Sequence, residues 1–193
     1  MTEYAFSLLP FPAPYTPNIS ITGKISLQNN IIALQYSVAG KTEDVLFPSI
    51  SSKPTRSDEL WKSTCFEFFL AVKNQHQYWE FNMSSSGDWN VYHMDAYRRV
   101  NFKQEVSIQQ LPFEVQNVAG RFHLNMLLDL NPILQPDQIL TVGITAVIQT
   151  TAGGETYWAL AHPASVADFH WREGFVIELA EQAHFARQSA PGG

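Results

Sequence analysis

The chain has 193 residues and a formal net charge of −6; 45% of its residues are hydrophobic, 13% aromatic and 16% charged. This balance is typical of one globular domain with an unusually large share of aromatic side chains. A negatively charged protein without a cluster of lysine and arginine does not attract the phosphates of a nucleic acid, so we exclude a nucleic-acid partner. The single cysteine, Cys65, excludes an intrachain disulfide framework.

The beginning of the chain, MTEYAFSLLPFPAP, does not have the pattern of a signal peptide. It carries an acidic residue, lacks a basic region and has too short an apolar run. No stretch of the sequence reaches the roughly 18 apolar residues of a membrane-spanning helix. We therefore expect a cytoplasmic protein without a membrane partner.

The order of apolar and polar residues predicts strands along most of the chain. Residues 1–17 contain four prolines and predict an extended N-terminal arm. Beyond them, alternation with period two predicts about ten strands, at residues 19–21, 24–27, 31–38, 64–72, 78–83, 89–94, 105–109, 121–130, 139–150, 155–161 and 175–179. The one helix that we expect is a short one near residues 57–61.

Short strands separated by turn sequences predict an all-β fold, an antiparallel β-sandwich of the jelly-roll or immunoglobulin-like type. We place this single domain at residues 18–180, after the Pro-rich arm and before residues 181–193, which we expect to be a disordered tail. Two connections, 40–62 and 161–174, are long for a small β domain. Loops of that length usually take part in function.

The alternation within the central strands predicts which side chains share a face. Joined through the polar loop 73–76, the strands 64–72 and 78–83 place their large apolar residues on a core face: Phe66, Phe68, Leu70, Trp79, Phe81 and Met83. The opposite, open face then carries Glu67, Phe69, Tyr78, Glu80 and Asn82. A five-residue connection at 84–88 puts Trp89 and Val91 in the core and adds to the open face Asn90, Tyr92 and Met94. We prefer it to a four-residue connection, which would reverse this assignment.

The predicted open face combines carboxylates, amides and phenols, and two arginines, Arg98 and Arg99, follow its last strand. Sugars are bound by aromatic rings that contact their C–H faces and by carboxylate, amide and guanidinium groups that bind their hydroxyls. The face therefore suits a polar, ring-shaped ligand. The alternative is that Glu67 and Glu80 are solvated residues on an exposed sheet, whose tyrosines only cover the backbone.

Weaker patterns leave other chemistries open. Two carboxyls on neighbouring strands also suit the separations of ~5–5.5 Å or ~6.5–9.5 Å found in glycosidases. No strong zinc pattern matches the loop residues His162, Asp168 and His170, and we expect Asp168 to order its own loop by hydrogen bonds. The ligand types of a haem iron occur at Met83, His93 and Met94. Cys65 lies within a strand, and we interpret it as a structural thiol.

Three runs, ELWKSTCFEFFL, YWEFNMSSSGDWNVYHMDAYR and YWALAHPASVADFHWREGF, resemble the DOMON-like proteins related to family 9 carbohydrate-binding modules. The resemblance implies a β-sandwich that holds a sugar between two tryptophans. By position, Trp61 resembles the first stacking tryptophan, Glu67 the hydroxyl-binding glutamate and Arg98 (or Arg99) the arginine. Trp171 is the candidate for the second stacking residue. The acidic clusters of the family's calcium sites are not evident, and related DOMON domains bind haem instead.

We therefore hypothesise a non-catalytic domain that binds a carbohydrate or a sugar-like small molecule. Its predicted site residues are Trp61, Glu67, Tyr78, Glu80, Asn82, Tyr92, Arg98 and Trp171. The alternatives are a haem-binding DOMON-type domain, a glycosidase and a protein–protein interaction module. We expect no metal and no cofactor, although the resemblance leaves haem and calcium open. The sequence does not predict the oligomeric state.

Overall fold

The structure is a computed structural model that describes residues 2–97, 103–118 and 120–181. Within these residues the strands are β1 (Thr2–Ser7), β2 (Leu9–Pro10), β3 (Ile19–Gln28), β4 (Ile31–Gly40), β5 (Cys65–Val72), β6 (Tyr78–Ser84), β7 (Trp89–Met94), β8 (Lys103–Gln104), β9 (Phe113–Val118), β10 (Arg121–Asp129), β11 (Leu140–Gln149), β12 (Glu155–Ala159) and β13 (Ile177–Leu179). Three single-turn 3-10 helices span Thr42–Asp44, Leu60–Lys62 and Arg172–Gly174. Among the described residues no helix has the length and apolar character needed to cross a membrane.

The strands form two antiparallel sheets. The first sheet has the order β1-β3-β4-β10-β9, and the second sheet has the order β2-β12-β11-β5-β6-β7-β8, with β13 also paired to β11. The inner faces of both sheets supply one continuous apolar core. The predicted all-β antiparallel sandwich is therefore confirmed.

The core forms because alternate side chains of each strand point to one face of the sheet. From the first sheet it receives every second residue of β4, namely Ile32, Leu34, Tyr36 and Val38. The second sheet contributes the aromatic pair Phe68 and Phe81, whose rings stack with centroids 4.2 Å apart. The Tyr36 hydroxyl crosses the sandwich and donates a hydrogen bond to the backbone carbonyl of Glu67 at 2.6 Å.

The predicted phases of the central strands are confirmed. Phe68 lies opposite Phe81 in the ladder between β5 and β6, and Glu67 lies opposite Asn82. Met83 lies opposite Trp89, so that five residues connect these two positions, as we expected.

Other predicted elements differ from the structure. The strand predicted at 105–109 is wrong: the chain turns after Gln104, because the Glu105 carboxylate accepts hydrogen bonds from the Ser107 N–H and the Trp79 indole. The expected helix at 57–61 is a single 3-10 turn that begins three residues later and ends one residue later, at Leu60–Lys62. The sequence analysis also missed β9.

The N-terminal residues belong to both sheets. The predicted arm 1–17 contains β1, which pairs with β3, and β2, which pairs with β12. The expected extended conformation is therefore present, and it is paired. The domain boundaries at 18–180 stay a prediction, and the expected tail lies outside the described residues except for Glu181.

We predict that Tyr36→Phe lowers the free energy of unfolding by about 1 kcal/mol, because it removes a buried hydroxyl that joins the two sheets. Equilibrium unfolding in urea measures this change. Tyr4→Phe, at an exposed position on β1, is the matched control and should change stability by less than ~0.5 kcal/mol. Equal losses in both variants would contradict a role for the Tyr36 hydroxyl.

Candidate functional site

The outer face of the second sheet is covered. Phe69, Tyr78 and Tyr92 on this face are buried together with Phe175, which belongs to the segment after the long loop 161–174. Every residue of β5 and β6 is buried, so these strands are covered on both faces. The face that we expected to be open is therefore roofed. The alternative, that Glu67 and Glu80 are solvated, is wrong, because the two residues are only 2% and 6% exposed.

A glycine on β11 lets the roof approach the sheet. A Cβ atom at Gly143 would lie 2.9 Å from Cδ1 of Phe175, closer than carbon atoms pack. Because Gly143 has no side chain, the Phe175 ring lies directly on the strand beside Phe69. This contact holds the end of the loop 161–174 against the sheet.

Between the roof and the sheet remains a cavity of about 520 Å³. Its floor comes from β5, β6, β7 and β11, and its sides come from β12, the 3-10 turn at Leu60–Lys62 and the loop 161–174. The lining residues are Trp61, Lys62, Glu67, Phe69, Glu80, Tyr92, Met94, Val147, Glu155, Tyr157, Ala167, Phe169 and His170. A volume of this size is in the range of small-molecule sites.

Two carboxyl groups lie on the cavity floor. Glu67 faces Asn82 across the ladder and Glu80 faces Phe69, so the two glutamates are diagonal neighbours. Glu80 Oε1 accepts a hydrogen bond of 2.7 Å from the Asn82 amide. Glu67 Oε2 accepts one of 3.3 Å from the Thr145 hydroxyl, whereas Glu67 Oε1 has no hydrogen-bond partner within the described part of the chain.

Burial changes the acidity of this pair. It raises the pKa of Glu67 well above the ordinary value, and the neighbouring Glu80 raises it further. Burial also raises the pKa of Glu80, to about 7, although the Asn82 hydrogen bond acts in the opposite direction. Because each charge disfavours the other, the two groups titrate as a unit and retain protons near neutral pH.

A hydrogen-bond network centred on the exposed residue Asp58 orients the aromatic wall next to this pair. The Tyr92 hydroxyl donates to Asp58 Oδ1 at 2.7 Å, and the Asn90 and Gln104 amides donate to the same oxygen. These bonds, that of Tyr92 first, lower the pKa of Asp58 and keep it ionised. The Trp61 ring meets the Tyr92 ring edge to face at 5.9 Å. Trp61 is therefore fixed at the side of the cavity.

The structure brings most of the predicted site residues together, in two layers. Four of them line the cavity: Trp61, Glu67, Glu80 and Tyr92. Behind these lie Asn82, bound to Glu80, and Tyr78, whose hydroxyl is 2.9 Å from Nδ1 of His170.

Two predicted residues are not among them. Trp171 is 38% exposed and does not line the cavity; its ring meets that of Tyr97 edge to face at 5.3 Å. Arg98, like Arg99, lies outside the described residues.

The sequence analysis missed several residues of the wall. The loop 161–174 contributes Phe169 and His170 rather than the adjacent Trp171. The strand β12 contributes Glu155 and Tyr157, which share one face by simple alternation. The alternation of β12 was visible in the sequence. To assign these residues to the site, the strand order is also needed, in which β12 and β5 both pair with β11.

The loop and haem patterns have structural explanations. Asp168 accepts hydrogen bonds from the Tyr97 hydroxyl and the His170 backbone, so it orders its loop as we expected. Among the described residues no group of three His, Cys, Asp or Glu side chains is placed to hold a metal ion. Met94 lies on the cavity face and His93 on the opposite one, stacked on Trp79, so this adjacent pair does not converge on one iron.

No model of a known protein family matches the sequence, and no curated protein sequence matches it either. Among solved structures, the fold is similar to that of a candidate carbohydrate-binding protein from Bacteroides uniformis, with a TM-score of 0.70 and 14% identity over 92% of this chain and 85% of that chain. A family 9 carbohydrate-binding module from Caldicellulosiruptor kristjanssonii in complex with cellotriose matches with a TM-score of 0.48 and 12% identity over 79% and 70% of the two chains. At 14% identity, the first likeness establishes the fold and not the ligand.

We predict that Glu80→Gln changes how stability depends on pH. An unfolded glutamate has a pKa of ~4.3, whereas that of folded Glu80 is about 7. Between these values the folded state binds more protons, so the free energy of unfolding of the wild type falls as pH rises through this window. The variant lacks the part of this fall that Glu80 causes, and above this window it should be more stable than wild type by on the order of 3–4 kcal/mol.

Urea unfolding at a series of pH values measures this difference. Glu114→Gln, an exposed position on β9, is the control and should follow the wild-type curve. A difference between Glu80→Gln and wild type that stays constant from about pH 4 to about pH 8 would show that the pKa of Glu80 is not raised.

Proposed function

We propose that this chain is a non-catalytic carbohydrate-binding domain, a DOMON-type relative of the family 9 modules, and that its ligand occupies the roofed cavity. The observation that carries this proposal is the pairing of an aromatic wall with buried carboxyl groups in one space of about 520 Å³. Sugars require both kinds of surface, since they present apolar C–H faces and a rim of hydroxyls. The fold likeness to a candidate carbohydrate-binding protein supports this class of ligand.

In this proposal the sugar ring lies against Trp61. The indole is partly buried at the side of the cavity, where the Tyr92 ring holds its orientation. Phe169 lines the cavity from the roof, and we assign to it the second apolar contact. Trp171, which the family resemblance puts in that role, lies outside the cavity lining.

The hydroxyls of the sugar bind to the carboxyl groups of the floor. Glu67 Oε1 is buried and is an acceptor without a donor among the described residues, so a ligand hydroxyl there would satisfy it. Glu80 accepts from the ligand on the side away from Asn82. Asn82 and Tyr78 act behind the cavity surface, as the partners of Glu80 and His170. Arg98 stays a proposed partner through the family resemblance alone.

A glycosidase is the second candidate, because Glu80 has the raised pKa that a general acid needs. Such an enzyme also needs an ionised carboxylate as nucleophile or base. The pKa of Glu67 is raised as well, although hydrogen bonds from the Thr145 hydroxyl and the Cys65 thiol act in the opposite direction. The pair thus lacks the opposed acidities of a catalytic dyad, and we expect no turnover of aryl glycosides. A cytoplasmic location and the absence of a cofactor stay predictions.

We predict that Trp61→Ala weakens sugar binding at least ~10-fold, because an aromatic contact contributes ~0.5–1.5 kcal/mol beyond the area that it buries. A thermal-shift screen of mono- and oligosaccharides, followed by calorimetry on each hit, measures this loss.

The matched control is Trp171→Ala, which removes an equally large side chain outside the cavity and should leave affinity unchanged. A wild-type protein that binds no saccharide would contradict the proposed function. Loss of binding in Trp171→Ala alone would instead place the sugar on the outside of the loop 161–174.

A further inference from the structure

The polar groups around the cavity are mainly hydrogen-bond acceptors. Glu67 Oε1 is buried there without a donor among residues 2–97, 103–118 and 120–181. The two phenols of the wall direct their protons to carboxylates: Tyr92 to Asp58 and Tyr157 to Glu155. A ligand that matches this wall must therefore supply several donors of its own.

The ionisable groups of the wall are predominantly acidic. Three carboxyl groups line the cavity, those of Glu67, Glu80 and Glu155. The described basic side chains of the lining are Lys62 and His170. The Lys62 ammonium lies 2.7 Å from the Glu59 carboxylate in an exposed ion pair, so its charge is already matched. His170 Nε2 is 3.9 Å from Glu80 Oε2.

The remaining wall is aromatic and also favours a cation. Five aromatic side chains line the cavity: Trp61, Phe69, Tyr92, Tyr157 and Phe169. The faces of aromatic rings attract positive charge, and they do so most strongly where water is excluded. Hydrogen-bond acceptors, acidic groups and aromatic rings thus line the same cavity.

We propose, on the basis of the carbohydrate-binding function above, that the cavity prefers a sugar with a free ammonium group, which binds between the carboxyl groups of Glu67 and Glu80. An ammonium supplies three N–H donors and a positive charge, of which the described part of the chain places only the Lys62 and His170 groups in the lining. A neutral hydroxyl satisfies one acceptor but brings no charge that would favour the ionised form of the pair. The amine is therefore the substituent that distinguishes ligands at this site.

Binding of the ammonium is coupled to release of protons. Near neutral pH the free pair retains protons, because its pKa values are raised by burial. A bound cation favours the ionised form, so protons leave the pair as the ligand enters. Among the described residues, the other titratable groups near the pair, from each element packed against it, are Tyr36, Lys62, Cys65, Tyr92, Glu155, Tyr157 and His170.

The test is a calorimetric comparison of three matched sugar series, slightly below neutral pH where a sugar amine is protonated. The series are glucosamine, N-acetylglucosamine and glucose, each with its β-1,4-linked di- and trisaccharide. We expect the amine series to bind ~10-fold or more tightly than the other two, as a charge-assisted hydrogen bond implies. Repeating the titration in buffers of different ionisation enthalpy should show that protons are released only with the amine series.

Glu67→Gln should remove the preference for the amine, and Glu178→Gln, an exposed carboxylate on β13, should retain it. Proton release by the wild type keeps the proposal testable if the Glu67 variant does not fold. Equal or tighter binding of the neutral series overturns the amine preference and leaves carbohydrate binding intact. Binding of none of the three series overturns the proposed function itself.

Discussion

Two carboxyl groups buried side by side are the constraint on which the rest of this site depends. Glu67 and Glu80 are diagonal neighbours on a covered face, and removing both charges from water is costly unless protons or partners compensate. The described surroundings provide one amide, one hydroxyl, one thiol and an imidazole 3.9 Å away. The pair is therefore held in the protonated form by its environment, and any ligand that supplies donors or positive charge relieves the cost.

The fold creates this constraint because its second sheet is buried on both faces. The inner face of β5 and β6 packs into the sandwich core, and the outer face packs under the loop 161–174. The roof rests on an apolar contact, Phe175 against Phe69, that Gly143 permits. Tyr36 ties the backbone of Glu67 to the first sheet from the other side. The floor of the cavity is thus held from both sides, which favours a preformed site.

The floor of the site was predictable from the sequence, and its roof was not. Strand alternation has a period of two, so the pattern around Glu67 and Glu80 predicted their shared face correctly. A loop has no such period. Phe169 and Trp171 are close in the sequence of the loop 161–174, yet only Phe169 lines the cavity, because tertiary contacts decide the orientation of each side chain. Tertiary contacts also explain two errors in the predicted strands. The sequence of β9 is largely polar, so its pairing with β10 was not evident. Residues 105–109 alternate like a strand, but hydrogen bonds to the Glu105 side chain stabilise a turn there.

The most direct test of this account is an NMR titration of the glutamate side-chain carboxyl carbons, with the two resonances assigned through Glu67→Gln and Glu80→Gln. We predict that Glu80 titrates near pH 7 and that the pKa of Glu67 also lies well above the ordinary glutamate value. Each resonance should respond to the titration of the other, as expected of coupled groups. Two independent transitions near the ordinary glutamate value of ~4.3 would contradict the account, because they would show that the pair is solvated.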